Sequence, residues 1–351
     1  MSRNLILALL LPLQMLVIFI LKRNPAWVEE FYSNGIYIYI SNILRKFLGY
    51  FPFSIGDVFY ALLVFFFIVW LRKRIISRFK NPQKWVIAAF AKVSILFFLF
   101  HINWGLNYYR LPLHQSLEIE ADYDTESLVK YTTYLIQKSN ELHHRLAKSD
   151  SVTVNFPFDK KEVFRLSVEG YHHIQQQYPE LTYNNASVKP SLFRYFLTIM
   201  GFNGYLNPIT NEAQINTKIP LFKLPTTTSH EIGHQLGFAK ENEANYMACL
   251  VTMSHPNEYM KYAGYTFALS YCLGEVSKRD VCLSENLYAS INPGIIKEYQ
   301  QIHQFWLEHE NPLEPFFKLF YGQYLKVNNQ PQGMQSYNYV VALLVNKNLK
   351  G

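Results

Sequence analysis

Two histidines four residues apart are the clearest sign of chemistry in this sequence. His230 and His234 bound the segment His-Glu-Ile-Gly-His. Residues four apart on a helix project from one face, so both imidazoles can bind a single metal ion. Glu231 lies about 100° further round the axis, where it can reach a water molecule at the metal without binding the metal. The segment predicts a zinc-dependent hydrolase with Glu231 as general base.

A catalytic zinc site usually takes three protein ligands, so one more is needed. Glu241 and Glu243 follow the histidines, and Gly237 precedes both. Glycine readily adopts the left-handed conformation that ends a helix, so a turn at Gly237 can bring the next helix back toward the metal. We expect Glu241 to be the third ligand, with Glu243 as the alternative. We also expect Ser229 or a preceding threonine to cap the start of the histidine helix.

Hydrolysis of a peptide further requires a group that stabilises the developing oxyanion. Tyr205, Tyr246 and Tyr337 are candidates by residue type, although packing is the simpler role for most of the 26 tyrosines in the chain. The segment Glu212–Ile219 is a candidate edge strand that would hold an extended peptide by backbone hydrogen bonds.

The metal-binding segment resembles that of the gluzincins. In those peptidases, which include the membrane-bound prenyl-protein endopeptidases and related heat-shock peptidases, HExxH is completed by a Glu from an E-x-x-A-D segment. Here the corresponding residues are Glu241-Asn-Glu-Ala244-Asn245. The resemblance implies that Glu241 is the ligand and Ala244 a small packing residue. Asn245 stands where those families have Asp, and the spacing from His234 to Glu241 is shorter.

The part of the chain before the histidine motif contains three apolar runs. Of the 351 residues 50% are hydrophobic and only 17% charged, whereas about 25% charged is usual for soluble proteins. The runs are at about 5–21, 55–71 and 85–104, and each is close to the roughly 20 residues that a spanning helix needs. The first run is followed by Lys22-Arg23 and has no cleavage site, which favours a retained anchor over a signal peptide. We expect residues 1–104 to form a transmembrane region.

The loop between the second and third runs predicts the orientation. It holds six basic residues and no acidic one, and positive loops stay in the cytoplasm. Counting spans from this loop places the amino terminus inside and everything after Trp104 outside, with Lys22-Arg23 as a minor exception. We therefore expect a multi-pass protein of the bacterial inner membrane with an extracytoplasmic domain over residues 105–351. The same loop accounts for most of the net charge of +7, so no nucleic-acid partner is expected.

The region after residue 104 has the pattern of one mostly helical α+β domain, which we expect to be zincin-like. Apolar residues at steps of three and four predict helices over Glu126–Ser149 and Lys160–Tyr178. Short extended segments are predicted over Val152–Phe156 and Ala213–Ile219.

Two further features leave alternatives open. The segment Phe31–Phe53 is either an amphipathic helix on the membrane surface or a helix packed under the soluble domain. Cys272 and Cys282 either form a disulfide, if the domain faces an oxidising compartment, or remain thiols.

A second resemblance covers nearly the whole chain. The features that carry the resemblance are three amino-terminal spans, Asn103-Trp-Gly-Leu-Asn-Tyr-Tyr-Arg110, Gly204-Tyr-Leu-Asn-Pro208, Glu212-Ala-Gln-Ile-Asn216 and the HExxH followed by Glu241-Asn-Glu-Ala244-Asn245. With these features the chain resembles a bacterial membrane family, domain of unknown function 3810. This resemblance implies the architecture, whereas the chemistry depends on the histidine motif. The expected partners are the lipid bilayer and a peptide or protein substrate. The alternative is a non-catalytic envelope scaffold or sensor that retains the metal helix.

Overall fold

The structure is a computed structural model that describes residues 2–331 and 339–350. Its amino-terminal elements are α1 (Arg3–Leu21), α2 (Pro25–Trp27), a π-helical segment (Val28–Ile36), α3 (Tyr37–Leu48), α4 (Ile55–Ile76), α5 (Pro82–Asn103) and a 3₁₀ turn (Gly105–Tyr109). Among the described residues, α1, α4 and α5 are the helices long and apolar enough to cross a membrane. They confirm the three predicted apolar helices to within a few residues.

The rest of the chain is mostly helical, as predicted, with a small sheet. Its helices are α6 (Leu113–Ser116), α7 (Thr125–Ala147), α8 (Lys160–Ile174), α9 (Arg194–Met200), α10 (Leu224–Gln235), α11 (Glu241–Met253), α12 (Glu258–Arg279), α13 (Val281–Ala289), α14 (Pro293–Glu308), α15 (Glu314–Val327) and α16 (Val340–Lys350). Its strands are β1 (Val188–Pro190), β2 (Gly204–Asn207) and β3 (Glu212–Ile215).

The order of the strands corrects one expectation. In the described residues β3 lies between β1, to which it is parallel, and β2, to which it is antiparallel. All four residues of β3 are buried, so Glu212–Ile219 is not the edge strand that the sequence suggested. The antiparallel edge strand is β2.

The main core lies where α7, α10, α11, α12 and α16 meet. It contains the fully buried Leu135 of α7, Ile232 of α10, Leu269 of α12 and Val345 of α16. A fully buried aliphatic side chain stabilises the fold by roughly 1.5–3 kcal/mol, so this core holds the histidine helix α10 in the middle of the domain.

The segment between α1 and α4 packs against the part of the chain that follows α5. Tyr37 and Arg45 are almost completely buried, and both donate hydrogen bonds to the carbonyl oxygen of Gln235, at 2.9 and 3.1 Å. Gln235 is the last residue of α10. One face of this segment is thus packed against the rest of the chain, whereas Tyr39, Ile43 and Phe47 of α3 are exposed. The structure agrees with both interpretations of Phe31–Phe53.

The second span is joined directly to the sheet. The carboxylate of Glu212 accepts hydrogen bonds from the backbone N–H groups of Ile55 and Gly56, at 3.2 and 2.5 Å, and from the ammonium of Lys189 at 2.5 Å. The amino-terminal end of a helix carries partial positive charge, so a carboxylate is stabilising there. The central strand β3 thus anchors α4.

Two smaller expectations are also decided by the packing. Val152–Phe156 forms no strand, because the backbone N–H of Val154 is satisfied by the carboxylate of Glu298, at 2.8 Å, instead of by a neighbouring strand. Cys272 is buried in α12 and Cys282 is exposed on α13, and both are free thiols.

Candidate metal centre

The two histidines lie on one face of α10. Their ring centroids are 4.6 Å apart, as expected for residues one helical turn apart. The helix begins at Leu224 because Pro225 fits the first turn, where its missing N–H costs nothing. Ser229 and the preceding threonines, Thr226 to Thr228, are therefore inside the helix, and the prediction that one of them caps its start is wrong.

A glycine turn ends α10 and redirects the chain. The N–H of Phe238 donates to the carbonyl of Gly233 at 3.2 Å, and the N–H of Gly237 donates to that of His234 at 2.9 Å. This pair of bonds is a Schellman motif, and Gly237 has the left-handed φ of +91° that the motif requires. The turn allows α11 to begin at Glu241 and to pack against α10.

This turn brings a carboxylate to the histidines. One ligand atom each from His230, His234 and Glu241 lie within 4.8 Å of one another. The Oε2 atom of Glu241 is 3.2 Å from Nε2 of His230 and 3.7 Å from Nε2 of His234. Bonds of about 2.0–2.1 Å to a tetrahedral zinc ion place two ligand atoms about 3.3 Å apart. The two carboxylate–imidazole distances are close to this spacing, so the group could hold a metal ion.

The other ring nitrogen of each histidine is held by a protein acceptor. Nδ1 of His230 is 2.8 Å from Oδ1 of Asn245, and Nδ1 of His234 is 2.7 Å from the carbonyl oxygen of Phe238. The side-chain amide of Asn245 in turn donates to the hydroxyl of Tyr271 at 3.0 Å. With Nδ1 as the donor, each Nε2 is left as the metal-binding atom.

Glu241 is the charged member of the cluster. Its Oε1 atom accepts a hydrogen bond of 2.7 Å from the hydroxyl of Tyr321 on α15. Burial alone would raise the pKa of Glu241, but hydrogen bonds from His230 and His234 hold this pKa well below its usual value. Burial lowers the pKa of His234, yet the carboxylate of Glu241 outweighs it and raises that pKa to about 9.

Glu231 lies beside the cluster and is almost completely buried. Within the described residues, its Oε2 atom has no hydrogen-bond partner. Burial raises the pKa of Glu231 to about 7, although the two histidines lower it in part. Gly204 of β2 makes room for this carboxylate, since a Cβ atom there would lie 2.8 Å from Oε1 of Glu231. Sequence analysis did not find this role for Gly204.

Glu243 lies outside the cluster. Its Oε1 atom accepts a hydrogen bond of 2.9 Å from the backbone N–H of Leu113 and pairs with the ammonium of Lys240 at 3.4 Å. Glu243 thus holds the start of α6, and the structure brings only Glu241 of the two carboxylates to the histidines.

Two of the three tyrosines proposed as oxyanion stabilisers lie in the described residues. The hydroxyl of Tyr205 donates to the carboxylate of Asp57 at the start of α4. Tyr246 belongs to the main core, and Tyr337 lies outside the described residues.

The exit of the third span contacts the site, which sequence analysis missed. The indole N–H of Trp104 donates to the carbonyl of His234 at 3.1 Å, and the guanidinium of Arg110 donates to that of Gly237 at 3.2 Å. Arg110 also forms a buried ion pair of 2.5 Å with Glu29. The only available signal was the unusual run Asn103–Arg110, whose partner cannot be read from local spacing.

The protein is thus mostly helical, with three apolar helices consistent with membrane association and a candidate metal centre on α10 and α11. The chain belongs to the family described as protein of unknown function (DUF3810), whose model matches residues 32–345. No curated protein and no solved structure matches the chain.

Proposed function

We propose that this protein is a membrane-anchored, zinc-dependent hydrolase with a zincin-like domain, most simply a peptidase acting at the cell envelope. The proposal rests on one observation. Glu231 has a buried carboxylate oxygen without a hydrogen-bond partner among the described residues, beside three ligands at the spacing of a zinc site. Burying an unpaired carboxylate is costly, and a purely structural metal site has no use for it. General-base catalysis does have a use for it.

Each side chain of the centre has its own role in the proposed hydrolysis. Zinc bound by His230, His234 and Glu241 would act as a Lewis acid and lower the pKa of water to roughly 7. Glu231 would accept the proton of the attacking water and deliver it to the leaving amine. Asn245 and the Phe238 carbonyl would keep the two imidazoles oriented through their Nδ1 atoms.

An extended peptide substrate would bind along β2, beside Glu231. In the described residues β2 pairs with β3 alone, so its other edge has no strand partner. Gly204 of this strand lies against Glu231. A peptide added to β2 by backbone hydrogen bonds would therefore pass the proposed general base.

The proposed location follows from the basic loop after α4. If that loop lies in the cytoplasm, the centre lies on the outer side of a bacterial inner membrane, and its substrates are envelope peptides or proteins.

The deciding experiment separates metal binding from catalysis. Glu231→Gln removes the charge but keeps the shape, so the variant should keep roughly one zinc per chain and its fold. It should lose about three or more orders of magnitude in hydrolysis of candidate envelope peptides. His230→Ala should lose the metal and the activity together.

Two outcomes would contradict the proposal. Unchanged hydrolysis by Glu231→Gln would exclude this residue as the base. A parent protein that binds no zinc would leave the non-catalytic scaffold or sensor as the better description.

A further inference from the structure

Helix α9 exposes an apolar stripe. Leu192, just before the helix, and Tyr195, Phe196 and Ile199 follow the helical spacing of three and four residues, and 40–63% of each residue is exposed. The same face would be buried in an ordinary surface helix of a soluble domain.

Helix α15 repeats this arrangement. Phe316, Leu319, Phe320 and Val327 lie on one face, and 64–76% of each is exposed. On the other side of the helix, the hydroxyl of Tyr321 donates to the metal-ligand candidate Glu241. Residues two positions apart on a helix are separated by about 200° around its axis, so Leu319 and Tyr321 point in nearly opposite directions.

The helices that carry the two stripes are neighbours, and we call the two stripes together the α9–α15 surface. The side-chain amide of Asn311, just before α15, donates to the carbonyl of Ile199 at 2.7 Å. The carboxylate of Glu314 lies against Gly201 at the end of α9. Large contiguous apolar surfaces on soluble domains mark sites that contact a partner or a membrane.

This surface begins where two spans leave the membrane. Asp57, the third residue of α4, accepts a hydrogen bond of 2.6 Å from the backbone N–H of Leu192. The ring of Phe100, near the end of α5, lies 6.4 Å from the ring of Tyr324 on α15. The start of α4 and the end of α5 therefore lie on one side of the candidate spans, and the α9–α15 surface lies beside these two ends.

Basic side chains border the aromatic residues. Arg194 and Lys218 are exposed, and both lie over the ring of Tyr195, at 5.6 and 4.7 Å from its centroid. Exposed cations beside aromatic and aliphatic side chains suit the headgroup layer, where anionic lipids attract Lys and Arg.

We propose that the α9–α15 surface inserts into the interfacial layer of the same bilayer that the spans cross. The occupant of this surface is lipid. The candidate metal centre then lies close to the membrane surface, because Tyr321 of α15 is hydrogen-bonded to Glu241. The inference rests on the exposure of the apolar side chains, on their helical spacing and on their proximity to the ends of α4 and α5, and it does not require the centre to be catalytic.

Site-specific fluorescence in the full-length protein tests the insertion. Cys282 is the exposed thiol and is replaced by Ser, whereas Cys249 and Cys272 are buried. An environment-sensitive fluorophore is then attached at Phe320→Cys or Phe196→Cys. The protein is reconstituted in phosphatidylcholine–phosphatidylglycerol vesicles with and without brominated lipid.

The control position is Val152, in the loop between α7 and α8. It is 55% exposed, but its neighbours are mostly polar side chains of that loop and of α14. The loop between α7 and α8, which contains Val152, contacts the first part of α14 through Lys297. Helix α9 instead contacts Asn311, just after the other end of α14. The 16 residues of α14 span about 24 Å, so the control position is well separated from α9. This position should be quenched by aqueous iodide and not by brominated lipid.

The labels at Phe320 and Phe196 should show a blue-shifted emission and at least about twofold stronger quenching by brominated lipid than the label at Val152. Labels that behave like the one at Val152 would overturn the proposal. Labels protected from both quenchers would overturn it as well, because a second copy or another protein would then cover the surface.

Discussion

At the scale of single residues, the candidate centre depends on which carboxylate faces the histidines. Glu241 and Glu243 are two residues apart at the start of α11, so their side chains leave the helix about 200° apart. Glu241 points to the imidazoles and Glu243 to the backbone of Leu113. The two residues therefore form a matched pair for measuring the ligand role.

Glu241→Ala should lose most of the bound zinc, with an affinity at least about a hundredfold weaker, because one of three protein ligands is removed. Glu243→Ala should keep nearly all of the zinc and lose about 1–3 kcal/mol of stability, since the N–H of Leu113 is left unsatisfied. Metal analysis and zinc titration of the purified proteins measure both. The reverse ranking would assign the ligand to Glu243.

A second residue-scale prediction concerns Glu298 of α14, which is remote from the centre. Burial raises the pKa of Glu298 to about 7, while hydrogen bonds from Tyr262 and the N–H of Val154 oppose the rise. Between about pH 4.5 and 7 the folded protein keeps a proton that the unfolded chain releases. Stability should therefore fall as pH rises through this range, by up to about 3 kcal/mol from this group.

Glu298→Gln keeps the neutral shape at every pH and should lose this part of the pH dependence. The measurement is the thermal unfolding midpoint of the detergent-solubilised protein at pH 5 and pH 8. An identical pH dependence in the parent and the variant would show that Glu298 is ionised in the folded state throughout.

At the scale of elements, the site is a helix, a tight turn and a second helix. The turn has little freedom, because a Cβ atom at Gly237 would lie 3.0 Å from Oδ1 of Asn107 and from Cε1 of Tyr37. Both of those residues come from segments that precede the soluble domain's first long helix. The turn is therefore held by the chain around the spans as well as by its own hydrogen bonds.

Gly237→Ala should destabilise the protein by about 1–3 kcal/mol, since it combines a left-handed φ with two close contacts. It should also weaken zinc binding, because the turn sets the position of Glu241. Gly274→Ala is the control. It lies in α12, where a new Cβ atom meets nothing within 4 Å, and it should raise stability by up to about 1 kcal/mol. Equal effects of the two substitutions on the unfolding midpoint would contradict this account.

At the scale of the whole molecule, the three apolar helices and the rest of the chain are packed together. The start of α4 is bonded to Glu212 of the central strand, and Trp104 at the exit of α5 is bonded to the carbonyl of His234. These contacts place the exits of two spans next to the sheet and the histidine helix. The side of the membrane on which those exits lie is a separate question, which the basic loop predicts.

A reporter that is active only outside the cytoplasm should be active when fused after Gly351 and inactive when inserted between α4 and α5. The reason is that the basic residues of that loop are retained in the cytoplasm. Expression of both fusions is measured by immunoblot so that an inactive reporter is not confused with an absent one. Activity in the loop with inactivity at Gly351 would reverse the orientation.

The sequence by itself determined the features that depend on neighbours along the chain. The three apolar helices follow from runs of about 20 residues, and the shared face of His230 and His234 follows from their spacing of four. The turn at Gly237 likewise follows from glycine's tolerance of positive φ. Each of these needs information from only a few adjacent residues.

Only the tertiary structure decided which distant segments meet. Glu241 rather than Glu243 faces the histidines because the turn sets the rotation of α11, and β3 rather than β2 is central because Glu212 and its neighbours are buried from both sides. Trp104 contacts His234, which is 130 positions away in the sequence, and Tyr321 contacts Glu241, which is 80 positions away. Local periodicity carries no information about such pairs, since packing selects them only when the whole chain has folded.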